Sequence, residues 1–289
     1  MTQQAWIRND AAPADRQKKA IPMDLQLFFI CFLTFVIHLI GTLAYSIRIA
    51  GVRTGRIAVS FALFSVMMLV SRTSNSFLGP FLAKRVEKNL MAESTGNLVT
   101  DFRWLLMAAA LATLLGAFLI PTFQRVFSRA VLHFQVHRSI PKLILHGFFK
   151  GGISYIKDAA AVPAKANIVA AHRGHGIAPS VICLNIIAVA LWTVGVFASL
   201  YAGYLDPNVR VTSSTLSSII NGGATIAMAL FIDPYMSAMT DDVVEGKVTQ
   251  SQFRKAVVCL VGSRLAGTLL AQVLLVPAAG LIAYVASIL

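Results

Sequence analysis

Six apolar runs, each about as long as a bilayer is thick, leave this chain few folds to choose from. A hydrocarbon core of ~30 Å asks for about 20 apolar residues in a helix. The runs fall at Leu25 to Tyr45, Ile57 to Leu78, Trp104 to Phe123, Ala178 to Tyr204, Val211 to Ile232 and Ala256 to Ala286. Inside lipid every backbone N–H and C=O must find a partner within the protein, and runs of this length do so as helices. The expectation is an all-α polytopic membrane protein, a bundle of about six transmembrane helices with a long basic cytoplasmic loop. An N-terminal extension, residues 1–24, precedes a transmembrane transporter domain over 25–289. At 289 residues, 57% hydrophobic, a bundle of this size leaves no room for a separate soluble catalytic domain, so function lives among the helices and their loops.

The formal net charge of +13 would suggest nucleic acid in a soluble protein. Here the basic residues flank apolar runs, where they anchor helices at anionic lipid surfaces and set orientation. Nucleic acid is therefore excluded as a partner, and membrane lipids are expected. Outside the runs, fourteen Lys and Arg lie on the side of the first, third and fifth loops and nine on the side of the termini. That places the long loop, Gln124 to Ile177, in the cytoplasm and both termini outside. Within that loop Val131 to Arg138 and Leu143 to Phe149 mix apolar and basic residues, as suits a helix in the headgroup region or a re-entrant segment. The first run follows the basic segment Arg16 to Lys19 but is long and lacks a small-x-small site, so it reads as a retained span. Cys31, Cys183 and Cys259 have no metal-ligand or redox spacing, and neither metal nor cofactor is expected.

Polar residues inside the runs form stripes. In the first, Thr34, His38, Thr42 and Tyr45 share one helix face, with Arg48 next. The second run offers Ser65, Arg72 and Ser76, with Asn75 beside them. The fifth offers Ser214, Ser218, Asn221, Thr225 and Asp233, with Gly222 and Gly223 allowing close approach, and the sixth Arg264, Thr268 and Gln272. Ser218, Thr225 and Thr268 fit helix packing better than transport. His38 reads equally as a structural histidine or a site residue. Asp233, followed by Pro234, reads either as the end of the fifth helix or as an ion-pairing residue. Arg72 and Arg264 point to function, because a charged side chain at a helix centre costs about 2.5–3.5 kcal/mol on insertion scales. Counted along their runs they fall at different depths, about 22 Å and about 12 Å from the cytoplasmic helix starts, which suits an anionic headgroup moving between leaflets. Thr113 to Pro121 resembles Thr268 to Pro277 with one residue inserted, as the third spans of two three-helix halves would.

Enzymatic readings lack their parts. There is no His-Glu-x-x-His, no Walker-type phosphate loop, and no His downstream of Ser71-Arg72 or Ser263-Arg264 to complete a lipid-phosphatase pattern. Asp241-Asp242 reads as a solvated pair in a loop. A passive or ion-coupled transporter is left, with a scaffold or channel as the other class.

Five segments carry a family resemblance: Ile37 to Arg56 (IHLIGTLAYSIRIAGVRTGR), Leu69 to Asn75 (LVSRTSN), Ser139 to Lys142 (SIPK), Ile220 to Pro234 (INGGATIAMALFIDP) and Ser263 to Gln272 (SRLAGTLLAQ). From about Met23 to Leu289 the chain resembles the Amj family, the alternate lipid II flippases of bacteria. The resemblance implies a multi-pass protein of the bacterial cytoplasmic (inner) membrane. It would move undecaprenyl-pyrophosphate-linked peptidoglycan precursor, lipid II, from the inner to the outer leaflet with no catalytic residue. The alternatives are a transporter of another anionic lipid-linked precursor and a non-catalytic scaffold of the cell-envelope machinery. On the flippase reading Arg72 and Arg264 engage pyrophosphate in turn, and Arg48, Arg53 and Arg56 gather the anionic head. Asn75, Asn221 and Gln272 bind sugar or peptide amides, and His38 and Tyr45 complete the binding face. Asp233 pairs with a basic residue when substrate is absent.

Overall fold

The computed structural model describes residues 25–91, 98–137, 139, 142, 152–164 and 177–289. Among them are α1 (Leu25–Thr54), α2 (Ile57–Met91), α3 (Leu98–His137), α4 (Gly152–Ala159), α5 (Pro179–Leu205), α6 (Arg210–Ala227), α7 (Asp233–Val244) and α8 (Gln250–Ile288). A π-helical turn, Met228–Ile232, joins α6 to α7, and with the preceding short 3₁₀ turn they make one span over Pro207–Val244. Six helices are thus long and apolar enough to cross a membrane.

The helices overrun the apolar runs. α1 does not stop at Tyr45: Ile47, Ile49, Ala50 and Val52 are buried, and the helix ends only where Gly55 takes φ +67°. The expected basic loop Ser46 to Arg56 is therefore mostly the last turns of α1. α8 starts at Gln250 because Thr249 and Gln252 form a capping box, with Gln252 N–H donating to Thr249 Oγ1 at 3.2 Å and Thr249 N–H to Gln252 Oε1 at 2.8 Å. Val131 to His137 continue α3, and Val131 packs with Ile47 and Leu63. The segment 143–149 lies outside the described residues. α4 rests beside α3, where the Ala161 N–H donates to Thr122 Oγ1 at 3.1 Å.

Asp233 and Pro234 do not end the fifth span. Proline cannot donate and its ring crowds the carbonyl four residues back, so the chain widens by one residue: Asp233 N–H reaches Met228 O, and the helix resumes. Nor do Gly222 and Gly223 serve close packing, since a Cβ on either would meet open space.

The packing repeats. α1 packs most extensively on α3 and next on α2; α5 does so on α8 and α6. Gly116 of α3 lies against Thr42 of α1, and Gly267 of α8 against Ile186 and Val189 of α5. α2 and the α6–α7 span are the least buried, and no extended interface joins them. Two three-helix units thus sit side by side.

The largest core cluster sits at one end. Towards Leu25 and Ile288, Leu27, Ile30, Leu82, Phe102, Phe197 and Leu275 belong to one cluster that draws on both units. Towards the opposite end, marked by the α1–α2 and α7–α8 links, two smaller clusters lie, one within the first unit and one joining α1 to α7 and α8. Ile47, Leu63 and Val131 form one cluster, and Ile49, Met236, Phe253 and Leu260 another.

Candidate functional site

Within the bundle lies a cavity of about 630 Å³, within the size range of small-molecule sites. α1 contributes Gly41, Tyr45 and Arg48; α2 contributes Ser71, Arg72 and Asn75; α8 contributes Arg264. Asn185 and Trp192 come from α5, and Thr225, Met228 and Asp233 from the α6–α7 span.

Arg264 is 8% exposed, and its Nε is buried without a hydrogen-bond partner. Its guanidinium carbon lies 6.0 Å from the Trp192 ring centroid, and its Nη2 rests on α1 where residue 41 has no side chain. A Cβ at Gly41 would run into that nitrogen, so glycine here makes room for the cation. Next to Arg264, Ser263 is clamped by Asn185, whose Nδ2 donates to Ser263 Oγ at 2.6 Å and to Leu260 O at 3.2 Å. That clamp fixes the rotation of α8 on α5 and hence the aim of Arg264.

Arg48 donates from Nη2 to Asp233 Oδ1 at 2.7 Å, tying α1 to the residue that follows the π turn. Its guanidinium carbon also lies 5.7 Å from the Phe61 ring centroid and 5.5 Å from that of Phe64, and its Nη1 has no partner. Arg72 faces the cavity from α2 and makes no ion pair among the described residues. Three guanidinium groups therefore share the cavity with one carboxylate. Of the three, Arg264 is buried, a placement that costs several kcal/mol for an unpaired charge, Arg48 is paired with Asp233 and Arg72 is exposed, so the cavity carries a net positive charge.

The depth difference expected between Arg72 and Arg264 disappears. α8 begins six residues before the apolar run, so Arg264 lies about 21 Å along its helix and Arg72 about 22 Å along α2. The two line one cavity instead of two successive stations. Of the other expected site residues, Tyr45, Arg48, Asn75 and Asp233 are also on it. His38 and Asn221 instead line a smaller chamber of about 30 Å³, which shares Asn75 and Trp192 with the cavity. Gln272 is outside both, donating from Nε2 to Arg103 O at 3.0 Å and so joining α8 to α3. Arg53 and Arg56 are exposed near the α1–α2 link, off the cavity wall. Sequence reading missed Asn185, although a lone Asn in an apolar run is a signal. It also missed Trp192, which carries none.

A six-span bundle with an arginine-lined cavity in it has the architecture of a polytopic membrane transporter. Residues 33–286 match the family described as Amj, alternate to MurJ. A relative in Bacillus subtilis (strain 168), named lipid II flippase Amj, is 37% identical over 269 residues, covering 89% of this chain and 95% of the relative. The chain belongs to the Amj family, and it is a multi-pass protein of the bacterial inner membrane. No solved structure matches it.

Proposed function

We propose that this protein is a lipid II flippase, moving undecaprenyl-pyrophosphate-linked peptidoglycan precursor from the inner to the outer leaflet. The observation that carries the proposal is the imbalance of Arg48, Arg72 and Arg264 against Asp233 in one cavity. Guanidinium is planar, permanently charged and able to bind phosphate through two parallel hydrogen bonds, and pyrophosphate offers oxygens enough for all three. The relationship to the B. subtilis lipid II flippase supports the same substrate.

The head and tail of such a lipid need different surroundings. The head needs the wet, charged cavity, and the isoprenoid tail must stay in hydrocarbon. The unpacked gap between α2 and the α6–α7 span, edged by exposed Leu69, Phe77, Ile226 and Leu230, offers the tail a lateral route. With basic residues setting orientation, the end with the α1–α2 and α7–α8 links faces the cytoplasm, and the apolar seal around Phe102 and Phe197 faces outward. Arg53 and Arg56 on the cytoplasmic rim draw in the anionic head, Arg264 and Arg72 take the pyrophosphate, and Asn75 meets the adjoining amide or sugar. The pyrophosphate competes with Asp233 for Arg48, freeing α1 from the π turn. Movement of one three-helix unit against the other then opens the seal. The process makes and breaks no covalent bond.

The test is lipid II exposure at the outer face of cells lacking every other lipid II flippase. Wild-type protein restores exposure, and Arg72→Ala, inserted to the same level, does not. Failure of the wild type in a competent host would direct attention to a different anionic lipid-linked precursor.

A further inference from the structure

The smaller chamber has a chemistry of its own. Its polar walls are Thr34 and His38 from α1, Asn75 from α2, Thr193 from α5 and Asn221 from α6. Both threonine hydroxyls spend their protons on their own helices: Thr34 Oγ1 donates to Ile30 O at 2.9 Å and Thr193 Oγ1 to Val189 O at 2.7 Å. What each has left for the chamber is lone pairs. Asn221 Oδ1 is buried with no hydrogen-bond partner, and so is Nδ1 of His38, which is 4% exposed. Beside the amide N–H donors of Asn75 and Asn221, the wall thus presents oxygen lone pairs with no partner, and a bare buried acceptor costs about 1–3 kcal/mol. The species that complements those lone pairs is small and positive or donating. A volume of about 30 Å³ admits one or two occupants the size of water.

We propose that this chamber binds a small monovalent cation of sodium's size and that its occupancy is linked to anion binding in the adjoining arginine cavity. Hard oxygen ligands are supplied by Thr34, Thr193 and Asn221, with Asn75 at the mouth. His38 Nδ1 accepts from a water sharing the chamber. The linkage follows from charge. Trp192 lines both spaces and carries the Arg264 guanidinium, so in the anion-free protein that cation repels another in the chamber. A pyrophosphate on Arg264 cancels the repulsion, and by reciprocity the bound cation strengthens the hold on pyrophosphate. The oxygens come from both three-helix units, so loading the chamber draws α1 and α2 towards α5 and α6. The coupling to transport, though not the cation site itself, rests on the flippase reading.

The experiment uses the full-length protein purified in detergent, with no lipid substrate present. Thermal unfolding is followed while NaCl replaces choline chloride at constant ionic strength, and ²²Na⁺ binding is measured directly. Sodium is expected to raise Tm saturably by roughly 2–4 °C, and inorganic pyrophosphate to tighten its apparent Kd about tenfold. Thr34→Val and Thr193→Val, which keep shape and remove an oxygen, abolish the saturable sodium response and ²²Na⁺ binding, while Thr193→Ser retains both. Equal curves in sodium and choline with no ²²Na⁺ bound would overturn the proposal and leave a chamber that holds water alone. An equal response to potassium would overturn the size assignment. Because lipid II is absent, neither outcome bears on whether the protein flips it.

Discussion

Arg264→Met separates stability from function in opposite directions. Arg264 is 8% exposed, its Nε has no partner, and the cavity's one carboxylate is committed to Arg48. An unpaired buried charge carries an effective penalty of several kcal/mol. Contact with Trp192 returns about 0.5–2 kcal/mol of it. The net burden is then about 1–3 kcal/mol, and an unbranched apolar side chain of similar length relieves it. Tm of the substrate-free protein should rise by roughly 2–4 °C for each kcal/mol relieved. Removing a charged hydrogen-bonding group from the pyrophosphate costs about 1.5–3 kcal/mol of binding, or about 10- to 150-fold in affinity. Thermal unfolding in detergent with and without inorganic pyrophosphate reads both quantities in one series. An Arg264→Met variant that melts lower than wild type and still gains full stabilisation from pyrophosphate would refute the reasoning, because Arg264 would then be a structural side chain satisfied by the fold.

Other consequences follow from individual contacts. Gly41→Ala places a Cβ against the Arg264 guanidinium, so pyrophosphate affinity should fall about tenfold with a stability loss of about 1 kcal/mol or more, read in the same titration. Asp233→Asn breaks an ion pair whose carboxylate side chain is 57% exposed, so stability should change by less than about 1 kcal/mol. Removal of the cavity's one negative charge should tighten anion binding about fivefold, measured by isothermal titration with pyrophosphate. Arg85→Leu removes the cation that pairs with Asp101 at 2.6 Å, where the carboxylate is 7% exposed, and should cost about 3–5 kcal/mol of stability. The double change Arg85→Leu with Asp101→Leu should recover most of it in chemical denaturation.

Much of this architecture is legible in the chain. Bilayer thickness fixes the length of an apolar run, so the six spans stand out, and the cost of an arginine in lipid singles out Arg72 and Arg264. Helix ends are less legible, because hydropathy reports the membrane and not the helix. Ser46 to Thr54 stays helical on packing of Ile47, Ile49 and Val52, and α8 begins at its Thr249 cap, outside the apolar run. Those extra turns are what erased the expected depth difference between the two arginines. The pairing of Arg48 with Asp233 joins residues 185 apart, and nothing local encodes it beyond the need of each charge for a partner. Asp233-Pro234 reads locally as a helix stop, yet a π turn absorbs the proline because the apolar contacts of Ile232 and Met236 continue on both sides. Trp192 is one aromatic among many in an apolar span, and only the fold reveals that a guanidinium lies over it.

The central claim is that this cavity carries a lipid-linked pyrophosphate across the bilayer, and reconstitution tests it most directly. Purified protein is placed in vesicles holding fluorescent lipid II, and the fraction protected from a membrane-impermeant quencher is followed over time. The account predicts that wild-type protein makes the protected pool accessible, that Arg72→Ala and Arg264→Met each leave it protected, and that excess unlabelled lipid II competes where a neutral phospholipid does not. Accessibility that is equal with wild type, both variants and empty vesicles would contradict it.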